Sequence, residues 1–270
     1  NAADGCPGVK DELFGQPCHL FDACAESAYR GAAGAVLGRC GDAVLRATRD
    51  GTVWIGHVRR LEHDPGFKLP AVVAFAAEAR ALPVLPGATS GEIRYEEHGC
   101  VGFLHFDFYN GAMSTQQCMN LRAAYVQACT RPTRVLVLMG GEDFWSNGIH
   151  LNRIEAADSP ADESMRNIEA MDNLVLEILG TTDRLTVTVM QGNAGAGGCF
   201  FALAGDQVWA RQSVVLNPHY RNMGNLYGSE YWTYLLPARG GKVRACGIMH
   251  NRLPISAAAA MRGRLIDACF

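Results

Sequence analysis

None of the ten cysteines belongs to a CxxC pair or to a Cys/His cluster at zinc-finger spacing. That absence argues against a structural metal site. The P-loop pattern GxxxxGK[ST] does not occur, and no lysine stands near either of the two glycine-rich turns discussed below. Phosphate cradling of that type is therefore excluded. The chain has no apolar run of about 18 residues and no signal-peptide pattern. Many cysteines lie in apolar runs, where they act as small hydrophobes. Together these features predict a reduced, cytoplasmic protein without a membrane partner. A net charge of −3 gives no electrostatic footprint for nucleic acid. Residues 1–80 mix acids and bases without an aromatic-basic stripe, which also speaks against a nucleic-acid partner. The chain starts at Asn1 with no methionine, as expected of a piece of something longer.

What is present divides in two. Residues 1–80 open with the turn-rich NAADGCPGVKDELFGQP, followed by short β-like runs: HLFDA, GAVLGRC, AVLRAT and TVWIGHVRR. Asp50-Gly51 between the last two is a hairpin signal. AVVAFAAEARAL reads as a closing helix, and the prolines and glycines of LPVLPGATSGE mark a linker, bounded at 81–91. From residue 92 to 270, strand and helix alternate. GCVGFLHFDF, RVLVLMGG and LTVTVM are strand-like, STQQCMNLRAAYVQACT is helical with Ser114 as N-cap, and ADESMRNIEAMDNLVLEILG is a long amphipathic helix. Apolar strands alternating with helices predict an α/β unit built on a mainly parallel sheet. Ligands of such sheets bind beyond the carboxyl ends of the strands, where two glycine-rich turns sit. These are GGEDFWSNGIHL (140–151) and QGNAGAGGCFFALAGD (191–206).

Each turn can present a backbone N–H at the start of a helix, and two such donors converging on an acyl oxygen would stabilise a developing oxyanion. The residues carry a resemblance as well. EDFWSNGIHLNRIE resembles one signature of the crotonase (enoyl-CoA hydratase/isomerase) family, F-x-x-G-A-D-[IL]. VMQGNAGAGGCFFALAGDQVWA resembles the other, V-x-G-x-A-x-G-G-G-x-x-L-A-x-x-x-D. The resemblance implies a ββα-spiral fold over 92–270 and coenzyme A as the carrier of the substrate. It also makes the N–H groups of Ile149 and Gly197 the oxyanion donors. Ser146, Gly148, His150 and Ala196 then line the substrate and CoA site. Asn110, in YNGAM, takes the place of a family Asn-Ala and would line the CoA channel. Arg131, Arg134 and Arg153 are candidates to meet CoA phosphates.

Departures from the family pattern set the chemistry apart. Phe200 and Tyr220 occupy the positions of the two hydratase glutamates, so ordinary enoyl-CoA hydration is not expected. Tyr220 can donate a hydrogen bond or a proton. Glu230, in GSEYW, sits among aromatics whose desolvation would raise its pKa and suit it to proton transfer. Tyr220 and Glu230 are therefore the acid/base candidates. His219, Tyr227 and Tyr231 are read as pocket residues, with packing as the competing role.

LNPHYRNMGNLYGSEYWTYLLPARGG and FDFYNGAMSTQQC resemble the C-terminal part of a family of hydrogenase maturation factors. DGCPGVKDE, GAVLGRCGDAVLRATRDGTVWIGHVRR and FKLPA resemble its formyltransferase C-terminal subdomain, a small OB-like module. The expected fold class is thus α/β, with a small β-rich formyltransferase-like module followed by a crotonase-like domain whose last helices are missing or short. This resemblance implies that a preceding formyltransferase domain binds formyl-tetrahydrofolate and passes its formyl group to coenzyme A. The crotonase-like domain would then decompose formyl-CoA to CO and CoA for the metal site of [NiFe]-hydrogenase, with other maturation proteins as further partners. The alternatives are a crotonase-type acyl-CoA hydrolase or isomerase, and a CoA-binding scaffold without turnover.

Overall fold

In the computed structural model, which describes residues 7–61, 66–87, 91–218, 220, 228–251 and 253–270, the first described element is a hairpin inside the segment read as turns. Strands β1 (Val9–Leu13) and β2 (Gln16–Glu26) pair antiparallel. Their two-residue connection, Phe14 (φ 54°) and Gly15 (φ 78°), is left-handed at both positions. That backbone matches the twist of paired strands. Phe14 is an unusual occupant, and its ring packs on Phe75 at 5.3 Å between centroids.

The remaining strands of this module are β3 (Val36–Cys40), β4 (Ala43–Ala47), β5 (Thr52–Arg60) and β6 (Lys68–Pro70). The sheet order is β1-β2-β5-β4-β3, with β6 on β5. Asp50-Gly51 joins β4 to β5, whose register runs Ala47↔Thr52. The expected closing helix is broken into α1 (Ala71–Ala74) and α2 (Ala76–Arg80) at Phe75. Phe75 leaves helical backbone (φ −121°, ψ 48°) and is fully buried among Leu13, Val44, Ile55 and Val58. Burying the ring outweighs continuing the helix. The first half of the expected linker is also structured. Arg39 N–H donates to Pro83 O, and Leu85 N–H to Arg39 O, each at 2.9 Å.

The chain separates into two units, Asn1–Gly91 and Glu92–Phe270. The second opens with an antiparallel pair, β7 (Ile93–His98) and β8 (Val101–Phe106). A short β9 (Ala112–Met113) and helix α3 (Thr115–Cys129) follow. Ser114 and Gln117 cap α3 reciprocally, each side chain accepting the other's backbone N–H. The winding repeats with β10 (Val135–Met139), the short β11 (Phe144–Ser146) and β12 (Gly148–Ile149), and helices α4 (Leu151–Glu155) and α5 (Pro160–Leu179). A third turn is β13 (Leu185–Met190), β14 (Asn193–Gly195) and α6 (Gly197–Leu203); a fourth begins with β15 (Gln207–Ala210) and β16 (Val215–Asn217). After these come α7 (Trp232–Gly240), α8 (Lys242–His250), β17 (Ile255–Ser256), α9 (Ala257–Arg262) and β18 (Ala268–Cys269).

The long strands form a sheet of order β18-β15-β13-β10-β8-β7, parallel except at the β7 edge. The short strands stack into a second layer, with β11-β14-β16-β17 in one ladder and β12 beside β9 in another. Each turn of the spiral is therefore strand, short strand, helix. The protein is a small β-rich module followed by this crotonase-like ββα spiral. The short-strand layer positions the site, because it laces the two glycine-rich turns side by side.

Candidate active site

Strand β10 ends at Met139 and strand β13 at Met190, and the two glycine-rich turns follow at the carboxyl end of the sheet. Parallel pairing of β11 with β14 (Phe144↔Asn193, Ser146↔Ala194) sets the turns in register. Their backbones then touch. A Cβ built on Gly148, which has φ +80°, would lie 3.2 Å from the Gly197 nitrogen. Gly197 is the first residue of α6, where a backbone N–H has no partner within the helix. Its N-cap Ala196 adopts φ 45°, ψ −126°, a backbone rarely seen outside glycine, and is held there by its N–H bond to Asn217 O at 3.0 Å. Gly198 cannot carry a side chain, because a Cβ there would overlap the Ser146 carbonyl. Trp145 Nε1 donates to Gly198 O at 3.1 Å and locks the turns together from behind.

The first turn is fixed by side chains. Ser146 Oγ accepts the Gly148 N–H at 3.0 Å and lies 3.1 Å from Met113 Sδ. His150 is the N-cap of α4, its Nδ1 accepting the Arg153 N–H at 3.3 Å, which gives the ring a structural task. Asn167, buried on α5, accepts the His150 N–H (3.2 Å) and donates to Met113 O (3.0 Å). Ile149 is half-buried between these anchors. Asn110 is exposed in left-handed backbone (φ 55°), and its carbonyl accepts from Asn147 Nδ2 at 2.7 Å.

Glu230 faces Gly197. A Cβ on Gly197 would overlap the Glu230 carboxyl group, so this carboxylate rests directly against bare backbone. Glu230 is 3% exposed. Tyr220 Oη donates to Glu230 Oε2, and the Ser229 N–H donates to the same oxygen at 3.2 Å. The Tyr220 ring stacks on Phe200 at 5.7 Å, and Phe200 is fully buried. Phe200, which the family resemblance sets in the place of a hydratase glutamate, is packed hydrocarbon. Tyr231 is half-buried against the core, also in left-handed backbone. His219 and Tyr227 lie outside the described residues.

Burial drives the electrostatics. Desolvation pushes the Glu230 pKa above the ordinary carboxylate range; the Tyr220 hydrogen bond opposes this and the charge of Asp172 reinforces it. Desolvation and the Glu230 charge hold the Tyr220 phenol protonated, so it is a donor and not a base. The Cys118 and Cys199 thiols are pushed up to about 12, chiefly by burial, which leaves them unreactive.

The raised Glu230 pKa has a consequence for stability. Between the ordinary carboxylate value and the raised one, the folded state holds a proton that the unfolded state has released. Stability therefore falls as pH rises through the folded pKa. Glu230→Gln, a neutral isostere, is expected to melt at a higher temperature than wild type at neutral pH, with the difference closing toward pH ~4. A pH series of thermal melts checks this, and the carboxyl-burial account fails if the difference is independent of pH.

Two of the arginines considered for CoA phosphates sit elsewhere. Arg131 and Arg134 precede β10, at the amino end of a five-residue strand, about 16 Å from its carboxyl end. Arg131 is engaged there in an ion pair with Glu97. Asp172 and Asn167 on α5 were not anticipated. For Asn167 a signal existed, since it shares the helical stripe of Ala170, Met171, Leu174, Val175 and Ile178, where a polar residue needs a reason. Asp172 lies off that stripe, and its spacing carries no signal.

A family model described as "Enoyl-CoA hydratase/isomerase" matches residues 108–270. The chain belongs to this family. Among its relatives is the hydrogenase maturation factor HoxX of Bradyrhizobium diazoefficiens, 57% identical over 267 residues, which cover 99% of this chain and 47% of that protein. The structure of HypX from Aquifex aeolicus in complex with tetrahydrofolic acid aligns with a TM-score of 0.92 and 48% identity, over 99% of this chain and 49% of that one. The chain thus spans about half the length of these two relatives. An enoyl-CoA hydratase from Bacillus halodurans shares the fold at 18% identity (TM-score 0.61, 67% of this chain and 73% of that one). Among the described residues, no group of three metal-ligating side chains converges, and no helix is long and apolar enough to cross a membrane.

Proposed function

We propose that this enoyl-CoA hydratase/isomerase family domain decomposes formyl-CoA to carbon monoxide and CoA as a step in hydrogenase maturation. In this reading a formyltransferase domain outside this chain charges CoA from formyl-tetrahydrofolate. The single observation that carries the proposal is the Glu230 carboxyl group resting on the Gly197 backbone, with Phe200 where a hydratase has its first glutamate. The bare backbone at Gly148 and Gly197 suits the close approach of a thioester, since a Cβ at the first would crowd the Gly197 nitrogen and one at the second the Glu230 carboxyl group.

The residues divide the work. The N–H groups of Ile149 and Gly197 hold the formyl oxygen and polarise the carbonyl. Glu230 accepts the formyl proton; the C–H electron pair stays on carbon, and the C–S bond breaks with its pair on sulfur. Glu230 then returns the proton to the departing thiolate. The products are CO and CoA thiol, with no oxidant, reductant or water consumed. Tyr220 stays protonated and keeps Glu230 aimed. Phe200 and the Tyr220 ring leave little room for water, which disfavours hydrolysis.

The test is substrate choice by the full-length protein. Formyl-CoA is expected to give CO and CoA in equal amounts, trapped and counted together, while crotonyl-CoA is left unchanged. Turnover of crotonyl-CoA or longer acyl-CoAs at comparable rates overturns the reading.

A further inference from the structure

The turn that carries Glu230 is held in costly backbone. Gly228 has φ +72°, Glu230 49° and Tyr231 55°, so three of four consecutive residues are left-handed and two of them bear side chains. Each such non-glycine residue is strained and persists only where its surroundings over-determine it. On one side the turn is tied to α7, where Trp232 N–H donates to Ser229 O (3.2 Å) and Leu235 N–H to Tyr231 O (2.9 Å). On the other side an anchor reaches in from α5: Asp172 Oδ1 accepts the Glu230 N–H at 2.7 Å. The Ser229 side chain bonds to Asp172 as well. A carboxylate accepting an amide N–H is among the stronger hydrogen bonds available to hold such a turn.

We infer that Asp172 is a positioning residue that, by holding the Glu230 amide, fixes the Glu230 carboxyl group against the Gly197 backbone. The inference rests on the catalytic role proposed for Glu230. It also gives α5 a purpose beyond packing. Asn167, five residues earlier, anchors the turn that ends in Ile149 and His150. Five residues of helix span about 7.5 Å. One rigid helix therefore mounts both the oxyanion turn and the acid/base turn, although 58 residues of chain separate Asp172 from Glu230. Loops could not keep this spacing; a helix can.

Two variants of the full-length protein separate this role from simple packing. Asp172→Asn keeps an oxygen at the acceptor position and is expected to retain kcat for CO release within about fivefold. Asp172→Leu removes the acceptor and is expected to lower kcat by about 10- to 100-fold with KM for formyl-CoA unchanged within about twofold, the cost of sub-ångström to ångström misplacement. A second readout needs no turnover: titration of the Glu230 carboxyl group by infrared or 13C NMR, assigned by its loss in Glu230→Gln. The titratable groups that act on Glu230 are Asp172 and Tyr220, while the buried Cys118 and Cys199 thiols feel its charge. Of these only Asp172 changes, so Asp172→Asn is expected to lower the Glu230 midpoint. A folded Asp172→Leu protein with wild-type kcat overturns the inference, as does a Glu230 midpoint unmoved in Asp172→Asn. If Asp172→Leu does not fold, the Asp172→Asn titration alone decides. Should the wild-type protein release no CO, the proposed reaction fails, while the titration still tests the placement of Asp172.

Discussion

Glu230→Gln is expected to reduce CO release from formyl-CoA by about 10²- to 10⁴-fold, the range associated with removing a positioned general acid/base. The amide keeps the shape of the side chain and can still accept from Tyr220, so the fold stays intact and the loss falls on proton transfer. Asp172, the neighbouring carboxylate, does not take over in the proposed reaction, because it is turned to the Glu230 backbone. Tyr220→Phe is expected to have a smaller effect, of about tenfold, since it removes an aiming hydrogen bond and not the proton acceptor. The profile of kcat against pH carries the same signature. As a base, Glu230 must be ionised, so wild-type kcat rises with pH through a midpoint above the ordinary carboxylate range. In Glu230→Gln that limb disappears. Steady-state CO release by both variants between pH 5 and 8 checks all three statements.

The second large effect concerns a methyl group. Gly197→Ala places a Cβ into the Glu230 carboxyl group, the movable end of a side chain. The carboxylate is displaced from Tyr220 while the backbone stays in place. Alanine also favours helix over glycine by up to about 1 kcal/mol in a helix interior, so at the first position of α6 stability is expected to change little. Activity is expected to fall at least about 10²-fold, because the same methyl crowds the place of the formyl oxygen. The neighbouring substitution behaves differently. Gly198→Ala drives its Cβ into the Ser146 backbone carbonyl, which cannot swing away, and is expected to destabilise the domain outright. Parallel melting and activity measurements distinguish a change that disarms the site from one that unfolds it.

Much of the site was legible in sequence because glycine leaves a signature. Gly148 and Gly198 meet neighbouring backbone and Gly197 meets the Glu230 carboxyl group, and a glycine-rich turn after an apolar strand announces such close approach. The spiral was legible in the apolar β10 and β13 and in the Ser114 N-cap of α3. The β1–β2 hairpin was not, since Phe14 occupies a left-handed position that local chemistry would give to Asn or Asp. The interruption at Phe75 was hidden for a related reason: AVVAFAAEARAL is rich in alanine and has no glycine or proline, and only tertiary burial of the ring breaks it. Asp172 illustrates the limit most clearly. Its partner is a backbone N–H 58 residues away, and a side chain that recognises a main-chain atom leaves no pattern in the partner's sequence.

The central claim is that Glu230 takes the formyl proton and water takes no part. The most direct measurement is the fate of the formyl carbon. Full-length protein incubated with [13C]formyl-CoA is predicted to release 13CO in amounts equal to free CoA, with the Glu230→Gln protein releasing both about 10²- to 10⁴-fold more slowly. Recovery of the label as 13C-formate, with CoA freed at the same rate, would make the domain a thioester hydrolase and contradict the account.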